Sequence, residues 1–327
     1  IVDCERESDV DRLQVFQRAE FGEDARQSKP RFTHWAYMRL RGSRLSYCER
    51  NGDIVGQQGR LKTALHIGGR EVPAVWATDL RVRDDWKMKG LGVALIGKLL
   101  RDYPVVLALG VSEEARKMFR RQNWMVLGRI DALLKPLSAK GFLRSNTEST
   151  WLRKVFGHVL HWVSRPLDGL AATIVSGIHP GTRVVPIQRF DATFEPLLQR
   201  RRERYRICCE RSLEFLNWRF VDCPVASRYR SFALWTGSEL RGFVVLRRAA
   251  RYRKDVMYVD ELVADADVLP RIIAFIIRES YRAGVDAIYY EGLGQNTLSA
   301  LRKWAFFGRD SGHYLSLIHI SEPTRPP

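Results

Sequence analysis

Apolar residues recur at helical spacing near the start of the chain, at Val10, Leu13, Phe16 and Ala19, and predict a helix over residues 10–20. Pro30 breaks the next segment, and Phe32 to Leu40, carrying Trp35 and Tyr37, predicts a second short helix. From Arg44 to Glu49 the pattern alternates. Asn51-Gly52 then supplies the turn of a hairpin whose second strand runs from Asp53 to Ile67. Gly68-Gly69 is the next turn and Glu71 to Val82 the next strand. An apolar helix is predicted from Val93 to Leu100 and a buried strand from Val105 to Val111. Ser112 caps a helix that ends near Gln122, with Glu113 and Glu114 in its first turn. Met125 to Leu134 predicts the strand that completes this sheet.

The junction at residues 80–93 carries the chemistry. Leu80 and Val82 end a strand, and the basic loop Lys87-Met88-Lys89-Gly90-Leu91-Gly92 leads into the helix begun at Val93. Glycines let the backbone approach a ligand closely, and a helix N-terminus turns unpaired N–H groups and a positive dipole end toward the loop. Such an end binds phosphate, and Lys87 and Lys89 add cationic charge.

Leu80-x-Val82, the loop Lys87 to Gly92 and Val93-Ala94-Leu95 together resemble the acetyl-CoA signature of the GNAT N-acyltransferase superfamily, Arg/Gln-x-x-Gly-x-Gly/Ala, with Lys in its first place. Ala115 to Trp124 resembles the family's last helix, which ends in Tyr-x-x-x-Gly-Phe. Asn123 stands at the glycine, and Asn tolerates left-handed dihedrals better than most residues. Phe119 stands where many members carry the tyrosine that protonates the departing thiolate. The resemblance implies an acyl-CoA site at Leu80, Val82, Lys87, Met88, Lys89, Gly90, Leu91, Gly92 and Val93, in a domain spanning residues 1–137.

A linker with an amphipathic helix, Trp151 to Ser164, occupies residues 138–182. That helix packs between domains or rests on a membrane surface as a peripheral contact. Residues 183–315 repeat the order weakly. A hairpin runs from Ser227 to Arg247, with Ser238 to Gly242 parallel to Gly52 to Gly56. Met257 to Val263 takes the place of the central strand. Pro270 to Ala283 is a helix, Asp286 to Glu291 a strand, and Asn296 to Phe306 a last helix whose Trp304-Ala305-Phe306 resembles the end of its counterpart. The loop Ala264 to Val268 has no glycine and two aspartates, which repel a pyrophosphate. The fold class expected is α/β, two GNAT-like domains, each a mixed, mostly antiparallel sheet flanked by helices, the second degenerate. Leu216 to Phe220, with Pro224 and Tyr229, resembles an Asn-Trp-Arg-Tyr motif of tandem acyltransferase-like proteins, some encoded with cell-surface polysaccharide genes. Trp218 and Trp235 are either core residues or platforms for a sugar. Residues 316–327 resemble a translated sequencing adapter and are expected to be non-native, so His319 and Glu322 carry no meaning.

Composition adjusts this picture little. The 327 residues accommodate two domains, with 45% apolar content for their cores. The net charge of +17 suits anionic ligands such as CoA phosphates, but equally a solvated Arg-rich surface. No nucleic-acid-binding signature accompanies it, and the run Gln199 to Arg206 is interrupted by acidic and aromatic residues. No specific nucleic-acid partner is therefore expected. Five cysteines show neither metal spacing nor a paired framework, and seven histidines form no His-x-x-x-His cluster. Free thiols, a cytoplasmic location and no metal are expected. No apolar run reaches the roughly 18 residues that a membrane span needs.

The resemblance implies that the thioester lies along the strand bearing Leu80 and Val82. A backbone N–H near Val82 stabilises the oxyanion, and an amine attacks directly in a ternary complex. Asp79 is the first candidate for general base, because it interrupts an apolar strand. The alternative is a structural hydrogen bond, and a bulge would decide which face it meets. Glu20 and Glu71 are further candidates, and His34 and Tyr37 line the acceptor cleft or pack as core. The expected activity is N-acyltransfer from acetyl-CoA or another acyl-CoA to an amine, first an amino sugar. A catalytically idle binding or scaffold protein is the alternative.

Overall fold

A computed structural model describes residues 1–125, 128–138, 165–171, 173, 181–251, 254–309 and 314–320. The linker helix expected at Trp151 to Ser164 lies outside the described residues, as does Glu322. The chain divides into two compact units, residues 1–129 with 202–224 and 312–327, and residues 130–201 with 225–311.

In the first unit the helix α1 (Glu7–Phe21) buries Val10, Leu13 and Phe16 of the predicted stripe, with Gln14 and Gln17 beside them, whereas Ala19 is exposed. The Asp9 carboxylate accepts the backbone N–H groups of Glu5 and Arg6 at its start. The second short helix is α2 (Pro30–Thr33), continued by a π-helical turn, His34–Arg39. Strands β1 (Val2–Asp3), β2 (Arg44–Arg50), β3 (Asp53–Ile67), β4 (Arg70–Val82) and β5 (Val105–Leu109) lie side by side in that order. β4 and β5 are parallel because helix α3 (Leu91–Asp102) carries the chain back between them. Buried Leu95, Ile96 and Leu99 seat α3 on the sheet, and helix α4 (Glu113–Arg121) follows β5, capped by Ser112.

The expected strand Met125 to Leu134 is a single element only in the sequence pattern. Its start is β6 (Gly128–Arg129), at the edge of this sheet. Its end belongs to β7 (Asp131–Pro136), which lies in the second unit. Between β5 and β6 sits β15 (Tyr314–Ile320), antiparallel to both. Thus the segment set aside as non-native from residue 316 pairs through Ile320 as a strand, with an irregular register between Leu315 and Ile318. β9 (Ile207–Cys209) pairs with the far end of β3.

The second unit repeats this plan. Its sheet has the order β14 (Phe307–Arg309), β7, β13 (Ala287–Gly292), β12 (Lys254–Ala264), β11 (Glu239–Arg251), β10 (Tyr229–Thr236) and β8 (Thr182–Ile187). Among the described residues of this sheet only β12 and β13 are parallel, joined through the helix Leu269–Arg282. Ile272, Ile273, Ile276 and Ile277 of that helix fill the core against Leu133, Val244 and Ile288. β7 occupies in this sheet the place that β15 occupies in the first. Each sheet therefore takes one inner strand from the other half of the sequence.

Local geometry supports the repeat. Between β2 and β3 the register slips so that Cys48 faces Gly56 but Glu49 faces Ile54. Between β10 and β11, Leu234 faces Gly242 but Trp235 faces Leu240. A Cβ on Gly242 would lie 3.0 Å from the carbonyl oxygen of Val263, and one on Gly56 3.3 Å from that of Arg81. Both glycines are thus explained by a close backbone approach.

Candidate functional site

Asp79 sits on a β-bulge. Gln57 of β3 faces Arg81 and Gly59 faces Thr78, so Gln58 stands against both Asp79 and Leu80. Asp79 adopts φ +49°, a left-handed conformation that costs a non-glycine residue roughly 1–2 kcal/mol. A set of buried glutamines holds it there. Gln58 Nε2 donates to the carbonyls of Thr78 at 2.8 Å and Gly59 at 2.6 Å. Gln57 Nε2 donates to the Asp79 carbonyl at 3.2 Å, Gln17 Nε2 to Gln57 Oε1 at 3.0 Å, and Gln14 Nε2 to Gln17 Oε1 at 2.6 Å. These bonds satisfy the amide nitrogens, while Gln14 Oε1 and Gln58 Oε1 are buried without a partner among the described residues.

The Asp79 carboxylate accepts a close hydrogen bond from the Tyr37 hydroxyl and one from Gln27 Nε2 at 2.9 Å. Tyr37 reaches across β3 because residue 59 is glycine, where a Cβ would lie 2.4 Å from its hydroxyl. Burial, and then the Asp79 carboxylate, push the Tyr37 phenol well above its ordinary range, so it stays a donor. Glu20, at the end of α1, meets Arg81 of the same strand end, Oε2 to Nε 2.8 Å. The candidates Asp79 and Glu20 thus share the last residues of β4. Glu71 lies at the other end of that strand, and His34 pairs with Glu7 at 3.3 Å. Gln17, Gln27, Gln57 and Gly59 are the residues that sequence reasoning missed. Gln57 and Gly59 carried a signal, the uncharged polar run Gln57-Gln58-Gly59 in mid-strand, whereas Gln17 and Gln27 carried none.

β4 pairs with β5 only from Ala74 to Ala77, whereas it pairs with β3 up to Val82. Among the described residues, Thr78 to Val82 thus have a neighbouring strand on one side alone. That stretch carries Leu80 and Val82. A short 3₁₀ turn, Asp84–Trp86, follows. Lys87 Nζ pairs with Asp84 at 2.5 Å, and Lys89 Nζ lies 4.8 Å from the centre of the Trp86 ring. Met88 is 96% exposed at φ +62°. Gly90 is the N-cap of α3 at φ +79°, with nothing within 4 Å of a Cβ built on it. The first α3 bond is from the Ala94 N–H to the Gly90 carbonyl, 3.0 Å. No side chain caps the helix, so the N–H groups of Leu91, Gly92 and Val93 have no intrahelical acceptor.

Phe119 is turned inward. Its ring stacks on Trp124, centroids 4.4 Å apart, among Val75, Ile96 and Val106. Asn123 takes φ +60°, the conformation expected of it. Ala305 does the same at φ +56°. The hydrogen bonds Trp124 N–H to Phe119 O and Phe306 N–H to Leu301 O close both helices alike.

In the second unit the acidic loop is filled by arginine. Arg241 donates to Asp265 at 2.7 Å and to Asp267 at 2.9 Å, and Arg200 to Asp265 at 3.1 Å. Trp218, in the first unit, stacks on Trp35 at 4.6 Å, and each indole N–H donates to the other's carbonyl at 2.7 Å. It is a packed residue, with that face covered. Arg183 lies over the ring of Trp235 at 5.9 Å.

No protein-family model and no curated protein matches the sequence. Solved structures do match the fold. A GCN5-related N-acetyltransferase from Anabaena variabilis superposes with a TM-score of 0.66 at 12% identity, covering 96% of this chain and 71% of that one. One from Kribbella flavida gives a TM-score of 0.66 at 14% identity, over 97% of this chain and 70% of that one. The N-myristoyltransferase of Saccharomyces cerevisiae, solved with bound myristoyl-CoA, gives 0.60 at 16% identity, over 96% and 80%. With its parallel β4–β5 pair, splayed strand end and glycine-capped α3, the chain has the fold of the GCN5-related N-acetyltransferases.

Proposed function

We propose that the chain transfers an acyl group from acyl-CoA to an amine. One observation carries this reading: β4 loses its β5 neighbour after Ala77, where it runs into the left-handed Gly90 cap of α3. The open space before Gly90 suits phosphate, held by the N–H groups of Leu91, Gly92 and Val93 with Lys89 beside them. Lys87 is compensated by Asp84 and contributes less. The unpaired side of Leu80 to Val82 suits a thioester carbonyl, whose developing oxyanion a backbone N–H there would stabilise. Acyl-CoA supplies the activated acyl group.

Asp79 is the base in this reading. The bulge sets it off the regular strand, and Tyr37 and Gln27 fix its carboxylate to receive the proton of the attacking amine. Tyr37, being buried, acts as a positioning residue. Glu20, held by Arg81, is the second candidate. Phe119 has no proton to give. A thiol with an ordinary value near 8.5 leaves adequately as thiolate, so the reaction needs no acid there. Trp218 cannot offer its stacked face to a sugar, so the acceptor reading rests on the amine class, with amino sugars first in the screen. Among the described residues no helix is long and apolar enough to cross a membrane, and the setting we propose is the cytoplasm.

The test is acetyl-CoA titration calorimetry on the full chain, since ending it near Tyr314 would remove β15. Wild type should bind. Gly90→Ala carries the left-handed strain without charge, whereas Gly90→Glu adds a carboxylate facing the phosphates. Affinity should fall at least tenfold further in Gly90→Glu than in Gly90→Ala. No binding by wild type, with long-chain acyl-CoA also tried, would leave the scaffold reading. Binding without CoA release across an amine panel would leave it as well.

A further inference from the structure

The sequence spacing of histidines and cysteines predicts no metal site, but three strands assemble one that spacing cannot reveal. His66 of β3 faces Glu71 of β4 on one side and Cys208 of β9 on the other. Directly opposed residues share a face of a sheet, and Glu210 continues that face two residues beyond Cys208. The Glu210 N–H donates to the Ala64 carbonyl at 2.8 Å, which fixes this segment against β3. One ligand atom each from His66, Glu71 and Glu210 then lies within 4.8 Å of the other two. His66 is only 9% exposed, and its Nε2 is in close contact with the Glu210 carboxylate.

The charges are unbalanced. Two carboxylates face one imidazole. Among the described residues neither glutamate pairs with a lysine or arginine, and the Glu71 side chain makes no hydrogen bond. His66 and Glu210 are largely buried and paired, and the exposed Glu71 converges on the same imidazole from the solvent side, in a chain of net charge +17.

We propose that His66, Glu71 and Glu210 bind a divalent transition-metal ion, with zinc the best match. The imidazole nitrogen is a borderline donor that suits zinc better than magnesium or calcium, zinc also accepts carboxylate oxygens, and three such ligands leave a fourth position for water. The site lies at the opposite end of β4 from Asp79, about 26 Å along the strand at ~3.3 Å per residue. Its role is therefore structural: the ion would clamp residues 206–210 to the β3–β4 hairpin. The inference is independent of the acyl-transfer reading.

The experiment is zinc and cobalt(II) titration of the untagged, metal-stripped full chain, followed by calorimetry, visible absorption and thermal melting. One ion per chain is expected, with a raised melting temperature and a cobalt spectrum lacking a thiolate charge-transfer band. Among the described residues the Glu71 side chain makes no hydrogen bond or ion pair, so Glu71→Gln should fold normally and lose at least tenfold in affinity with its circular dichroism unchanged. Glu210→Gln should lose as much. No binding, affinity unchanged in both variants, or a thiolate band marking one of the five free cysteines as ligand would each overturn the proposal.

Discussion

At the scale of single residues, Asp79 is set apart by where it stands. Its side chain is an ordinary carboxylate. What distinguishes it is a left-handed backbone on a bulge and two fixed donors. Asp79→Asn should lower the rate of acyl transfer by about 10²–10⁴-fold while acyl-CoA affinity stays within threefold, the signature of a lost base. Tyr37→Phe should act differently. It removes a buried donor and should cost about 1–3 kcal/mol of stability in urea denaturation, with a smaller loss of rate. Equal rate losses in both variants, without a stability difference, would count against the assigned roles. The sequence marked Asp79 because an acid interrupts an apolar strand. It could not mark Gln27 or Gln17, since a glutamine on a helix surface and one that locks a bulge have the same local pattern.

At the scale of elements, the helix ends were legible in unusual detail. Asn123 was expected to take a left-handed turn at the end of α4, and it does so at φ +60°. Its counterpart Ala305 takes the same conformation with a residue less suited to it. Ala305→Gly should therefore raise stability by about 0.5–1 kcal/mol, and Asn123→Gly by less, as read from thermal melts. A loss of stability in Ala305→Gly would show that the helix end is held by its neighbours rather than strained. Periodicity also located α3 and β5, because a buried face repeats along the sequence. The splay of β4 from β5 was invisible to periodicity. It depends on where two strands stop pairing, which the period of neither strand states.

At the scale of the whole molecule, the sequence pattern counted strands well and assigned two of them poorly. Met125 to Leu134 reads as a closing strand for the first sheet, yet Asp131–Pro136 pairs with β13 and β14 in the second. Ala132, Leu133, Lys135 and Pro136 are all buried there, and Lys135 Nζ bonds to Asp168 at 3.0 Å and to the Trp304 carbonyl at 2.8 Å. Desolvation lowers the Lys135 pKa, and its pairing with Asp168 opposes that shift. Residues 1–137 alone should consequently fail to fold cooperatively. That fragment keeps β7 without its partners and lacks β9 and β15, leaving β5 as an unprotected edge. A sharp two-state urea transition in the isolated fragment would contradict this.

The sequence by itself determined the order of helices and strands, the doubled plan, the loop at Gly90 and the loss of that loop in the second half. Each of these rests on local rules of period, glycine conformation and charge along a few consecutive residues. Only the tertiary structure decided which sheet β7 and β15 join, how a bulge turns Asp79 toward Tyr37, and that His66 meets Glu71 and Glu210. Those outcomes depend on pairing between residues far apart in the chain. A strand's own alternation states that it needs a neighbour, but carries no information about which neighbour it will have.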